Sequence, residues 1–213
     1  MPEIIEHQHT AEFIVTEANG SLSRESVTIL SGQNLQPGHI LGKVSVGEAV
    51  GAAVSGNTGN GTITAVSAGD TAQAGVYQIV CIEPATNIGT FAVENPKGVI
   101  IGHAVVGAVF EGEVNFTLTD GATDFVAGDR FTVTVDEGSG KYKEYNPANT
   151  DGSQVAAAIL IDYADATAGD CPGVILARHA EVNKAELVWF TGANDAQKEA
   201  ALTELRLYDI ISR

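Results

Sequence analysis

Apolar and polar residues alternate along this chain in many short runs, each closed by Gly, Asn, Asp or Pro. A period of two is the mark of a strand with one face buried. It predicts strands at Ser26-Val27-Thr28-Ile29-Leu30 and, after the turn Gln36-Pro37-Gly38-His39, at Ile40-Leu41-Gly42-Lys43-Val44. From about Gly47 to Gly140 the same texture recurs at 61–66, 76–80, 90–93, 114–118 and 130–135, as expected of a small sandwich or barrel. Strand chemistry returns at 156–161 and 173–178 beyond the polar Asn146–Gly152 loop.

Only one stretch near the end carries a helical signature. Asn194 stands at an N-cap position with Gln197 at capping-box spacing, and Ala196, Ala200, Ala201, Leu202, Leu205 and Leu207 supply an apolar side. Asp209-Ile210-Ile211 then ends the chain as a strand or a buried plug. At the other end Ile4, Ile5, Phe13, Ile14 and Val15 lie between polar residues and stop at the turn signal Ala18-Asn19-Gly20-Ser21. This is an arm that must be held, by its own chain or by a partner.

Composition narrows the function classes. With 213 residues, 44% hydrophobic, 18% charged and 24 glycines, the chain is turn-rich and globular and has room for one or two domains. Eleven Lys and Arg against 27 Asp and Glu give a formal charge of −16, which repels a polyanion, so direct nucleic-acid binding is not expected. Cys81 and Cys171 share no metal-ligand spacing and read as buried free thiols. The start has neither a basic nor an apolar leader region, and no run reaches the roughly 18 apolar residues of a membrane span, so synthesis in the cytoplasm without membrane contact is expected.

No catalytic motif emerges. His7-Gln8-His9 offers two imidazoles and no third ligand; a surface pair in the arm accounts for them. Asp120-Gly121-Ala122-Thr123-Asp124 with Asp129 is rich in carboxylates but lacks the ordered ligands of a calcium loop, and solvated turns explain it. Gly56-Asn57-Thr58-Gly59-Asn60-Gly61 lacks the Lys-Ser/Thr ending of a phosphate loop and precedes a strand. Neither a catalytic residue, a cofactor nor a bound metal is expected. Trp189, the sole tryptophan, lies with Phe190 in an apolar cluster before the helix. It is a candidate anchor between copies of the chain, with packing against its own core as the alternative.

Three blocks resemble the head decoration family typified by protein D of phage lambda. They are Ala11–Gly20 followed by Ser23-Arg24-Glu25-Ser26-Val27-Thr28-Ile29; Tyr145–Ser153 leading to Ala156-Ala157-Ala158-Ile159-Leu160; and Ala180–Trp189 with the helix and Asp209-Ile210-Ile211-Ser212-Arg213. In compact members the strand ending at Val44 runs almost directly into a segment like Gly140-Lys141-Tyr142. The resemblance therefore implies a capsid-binding arm (1–20), a β-rich, β-clip type decoration core with one C-terminal helix (21–46 and 140–213), and an inserted small β-sandwich or barrel (47–139). It also implies homotrimers on the outer surface of the virion's expanded capsid, partnered with major capsid protein and stabilising the shell against DNA pressure. Ile4, Ile5, Phe13, Ile14 and Val15 are then the candidate capsid contacts, since an extended arm gains main-chain bonds by adding a strand to an exposed edge. Folding back onto their own core is the competing expectation. A second function class is a host-surface or glycan-binding module displayed through the insertion; a third, a soluble enzyme, requires a deep polar pocket.

Overall fold

The computed structural model describes residues 9–213. The chain is mainly β and divides into two compact units. The first comprises the chain up to Val44 with Gly140–Asn149 and Ser153–Arg213; the second comprises Ser45–Ser139 with Thr150–Gly152.

The first unit is built on a closed five-stranded barrel in the order Tyr142–Glu144, Arg24–Ile29, Cys171–Leu176, Ala156–Leu160, Ile40–Lys43. Closure depends on Tyr142–Glu144, which lies antiparallel to Ile40–Lys43 and meets Arg24–Ile29 through a parallel pairing of Tyr142 with Ile29. At Gly42 the barrel wall comes so close to Ser153 that a Cβ there would stand 2.2 Å from the Ser153 carbonyl oxygen. Only glycine permits that approach. Ile29, Leu41, Ala158, Leu160 and Ile175 fill one core cluster.

A second cluster lies beneath the C-terminal helix, Asp195–Leu205. The Asn194 side chain accepts from the Gln197 N–H and the Gln197 side chain accepts from the Asn194 N–H, completing the capping box that the sequence announced. Ala201, Leu202 and Leu205 are buried. Leu207 departs from expectation: the helix tightens into a 3-10 turn at Arg206–Tyr208, the phase shifts, and Leu207 is 81% exposed. Cys171, expected to be buried, is only partly so, whereas Cys81 is buried.

The second unit packs two antiparallel sheets around one core. The larger runs Val46–Ala53, Arg130–Glu137, Gly75–Ala85, Ile88–Glu94, Ile100–Val105; the smaller runs Val109–Phe110, Val114–Thr119, Thr62–Ala68. Strict alternation places Val114, Phe116 and Leu118 inside from one sheet, and Phe131, Val133 and Val135 inside from the other. Phe91, Phe125 and Phe131 meet at ring separations of 5.1 to 6.0 Å.

Candidate functional site

The N-terminal segment is where sequence reasoning placed function. His9 to Glu12 form a turn, with the Glu12 N–H donating to the His9 carbonyl and the His9 N–H to the Glu12 carboxylate. Ala11 adopts a left-handed φ of 61°. The turn delivers Phe13 inward and starts the strand Ile14–Glu17, antiparallel to Ala180–Val182, which lies parallel to Ile210–Ser212. The Asn183 N–H donates to the Phe13 carbonyl, and the Ala18 N–H to that of His179, so both ends of the strand are tied.

The five expected contact residues have different fates. Ile4 and Ile5 lie outside the described residues. Phe13 is 1% exposed, in a cluster with Ile40, Tyr145, Val182 and Leu205, so it folds back onto its own core. Burying a side chain of this size contributes roughly 1.5–3 kcal/mol, which explains why the phenyl ring stays inside. Ile14 packs partly against the same cluster. Val15 sits at a register shift between Ile14 and Thr16, is pushed outward by it, and is 53% exposed. Trp189 and Phe190 rest on the same core, Phe190 edge-on to Tyr145 at 6.0 Å.

Ile14–Glu17 is the outermost strand of its sheet, paired on one side only. Its outer rim therefore offers main-chain donors and acceptors beside the exposed Val15. Glu17 anchors it: Arg24 Nε and Nη2 donate to the two carboxylate oxygens at 2.9 and 2.5 Å, and this hydrogen bonding raises the Arg24 pKa. Across the sheet, Thr16, Glu181 and Ile211 stand in one row, and Ile211 is 40% exposed. Leu22 and Leu207 add exposed apolar surface in the same unit. Sequence reasoning passed over Leu22 because a lone apolar residue in a polar turn has no periodic signature, and it placed Ile211 in a terminal strand or buried plug without marking it as exposed.

The carboxylates of the second unit are distributed among separate tasks. Asp129, 4% exposed, accepts N–H groups from Thr58, Gly59 and Val126 at 2.8, 2.8 and 3.0 Å. Desolvation pushes its pKa up, but the three backbone bonds together outweigh it and hold the group below its ordinary value. Asp124 accepts from the Asn87 N–H. Glu113 accepts from Tyr77 Oη at 2.9 Å, and burial first, with that hydrogen bond assisting, pushes the Tyr77 hydroxyl up to about 12. An open hollow of about 360 Å³ is lined by Ser67, Gly69, Asp70, Glu111, Asn115 and Thr150.

The family model for Bacteriophage lambda head decoration protein D matches residues 3–99 and 103–210. The chain belongs to that family. Members of the lambda head decoration protein D family are structural proteins of the phage capsid, which places this decoration protein on the virion head. The match covers the candidate edge and the C-terminal block together and runs through most of 47–139. Among the described residues of this decoration protein, no helix is long and apolar enough to cross a membrane. No curated protein matches the chain. Among solved structures, FlgL from Xanthomonas campestris aligns at 16% identity over 50% of this chain and 34% of its own (TM-score 0.34). The flagellar hook junction protein FlgK from Burkholderia pseudomallei aligns at 23% over 58% and 21% (TM-score 0.33). The chain thus spans about a third of FlgL and a fifth of FlgK.

Proposed function

We propose that this decoration protein binds the outer surface of the expanded capsid as a homotrimer and cements neighbouring subunits of the major capsid protein. The observation that supports this most directly is the open outer rim of Ile14–Glu17, with Val15 exposed beside it, in a chain of the decoration family. A strand of capsid protein laid along that rim gains main-chain hydrogen bonds, and Val15 gives it an apolar pocket partner. The docking element is thus a strand already ordered within the protein, so little ordering entropy is spent on binding. Ile4 and Ile5, outside the described residues, are further candidate apolar contacts nearer the N-terminus. Residues 47–139 are a module inserted into the decoration core.

Cementing needs no single strong contact, because many trimers act together on one lattice. The test compares decorated and undecorated heads under heat, chelator and osmotic shock. Decorated heads survive conditions that release DNA from bare ones; equal survival sinks the cementing reading. Sedimentation equilibrium of the free protein and threefold density on the capsid check the trimer independently.

A further inference from the structure

The last strand of the larger sheet in the second unit, Ile100–Val105, has a neighbour on one side only. Its pairing with Ile88–Glu94 shifts between Ile100 opposite Glu94 and Gly102 opposite Val93 and is regular from there to Val105 opposite Thr90, which leaves a regular four-residue stretch with an open rim. Proteins normally guard such a rim with Lys, Pro, a bulge or shortness. Lys and Pro are absent here, and the one register shift lies at the start of the strand, between Ile100 and Gly102. From Gly98 to Phe110 the chain has no Lys, Arg, Asp, Glu or Pro, and Val99, Ile100, Val105 and Val109 are 55%, 55%, 39% and 66% exposed.

The other rims of this unit are guarded. Val46–Ala53 carries Glu48 and a register shift opposite Val135 and Glu137. Thr62–Ala68 is interrupted at Ala65, whose φ is 51°, and by a register shift opposite Asn115 and Thr117. Val109–Phe110 is two residues long. This rim is also free of charge, in a unit that has twelve carboxylates and only two cations, Lys97 and Arg130. Two copies repel where their carboxylates face each other, and 98–110 is one of the stretches, with 49–69 and 71–82, along which they meet without setting carboxylate against carboxylate.

We propose that Ile100–Val105 pairs antiparallel with the same strand of a second copy of this chain, joining two five-stranded sheets into one across a twofold axis. An antiparallel edge is self-complementary: each outward N–H finds a carbonyl on the same strand of the second copy. The axis of such a pair passes through a residue opposite itself, and the middle of the strand puts this at Gly102 or His103. A twofold contact does not close a threefold ring, so this one links one assembly of the protein to the next. It goes beyond the shell-binding reading and does not depend on it.

The full chain carrying His103→Cys in a Cys171→Ser background tests the pairing with a short bismaleimide cross-linker. Cross-linked dimer is expected, increasing with added salt as the carboxylate repulsion is screened. Glu48→Cys on the opposite rim of the same sheet gives none. Adding Ile100→Lys and Val105→Lys, both at exposed positions, lowers the dimer yield about tenfold while leaving the melting temperature unchanged. In the unmodified protein, amide exchange at 100–105 slows as concentration rises. Exchange independent of concentration with no cross-link, or a cross-link formed only to a different capsid chain, overturns the proposal. Shell binding by the double lysine variant is read separately, so failure of the edge pairing and failure of capsid docking give different results.

Discussion

Asp129 and Gly59 lie 70 residues apart in sequence, yet the Gly59 N–H donates to Asp129 Oδ2 at 2.8 Å. The same carboxylate also takes the Thr58 and Val126 N–H groups, so one buried side chain pins two loops of the second unit. Gly59 is required there, because a Cβ would stand 2.5 Å from the Phe125 ring.

Asp129→Ala leaves three N–H groups without their acceptor and is expected to cost the second unit about 2–4 kcal/mol, read from denaturant unfolding. The pH dependence follows from the depressed pKa. A carboxylate held below its unfolded value contributes stability above the unfolded pKa of about 3.9 and loses it as pH falls through the folded value. Stability of this unit should therefore be level from pH 7 to about pH 5 and fall below about pH 4, and the Asp129→Ala variant should lose much of that fall.

Glu204 behaves with the opposite sign. Burial raises its pKa, and the hydrogen bond from the Ala156 N–H at 2.6 Å only partly offsets this. A raised carboxylate pKa contributes stability that is present below the unfolded value and lost as pH rises through the folded one. Glu204→Gln keeps an acceptor for Ala156 and removes the charge. Its melting temperature should exceed that of the parent at pH 7 and converge with it near pH 4; a lower value at pH 7 would contradict the assignment.

Phe13 and Val15 separate folding from docking although only two residues apart. Phe13→Ala should destabilise the first unit by about 3–5 kcal/mol, as for other buried aromatic truncations. Val15→Asp, at an exposed position, should change stability by no more than about 0.5 kcal/mol yet weaken binding to expanded capsids about tenfold. Equal binding by Val15→Asp and the parent in a capsid co-sedimentation titration would falsify the role given to this rim.

Gly42→Ala tests the barrel wall. The added methyl meets Ser153 backbone atoms at 2.2 to 2.6 Å, and backbone gives way less readily than a side chain. A loss of about 3 kcal/mol is expected from thermal unfolding, compared with a few tenths for Gly169→Ala, whose surroundings are open.

Much of the fold was legible locally. Val114–Thr119 and Arg130–Glu137 are strands with the alternation their residues display, and the Asn194 and Gln197 box starts the helix where the spacing predicts. Val46–Ala53 was hidden by its Gly and Ala content, which gives no β signal. Ile100–Val105 was hidden for the opposite reason, its unbroken apolar run at Val99-Ile100-Ile101. The docking rim was half legible: the sequence marked an apolar arm but gave no means of sorting Phe13 from Val15.

By itself the sequence determined the β-rich class, most strand positions, the helix with its cap, and the three blocks that carry the family resemblance. Those features depend on side-chain period and capping, which neighbouring residues set within a few positions. Only the tertiary structure decided that Phe13 belongs to the chain's own core, that Tyr142–Glu144 closes the barrel, that Asp129 is a buried pin, and which strands are left with an open rim. Burial and edge exposure depend on which distant segments pair, and a two-residue period is the same whether a strand ends in the middle of a sheet or at its rim.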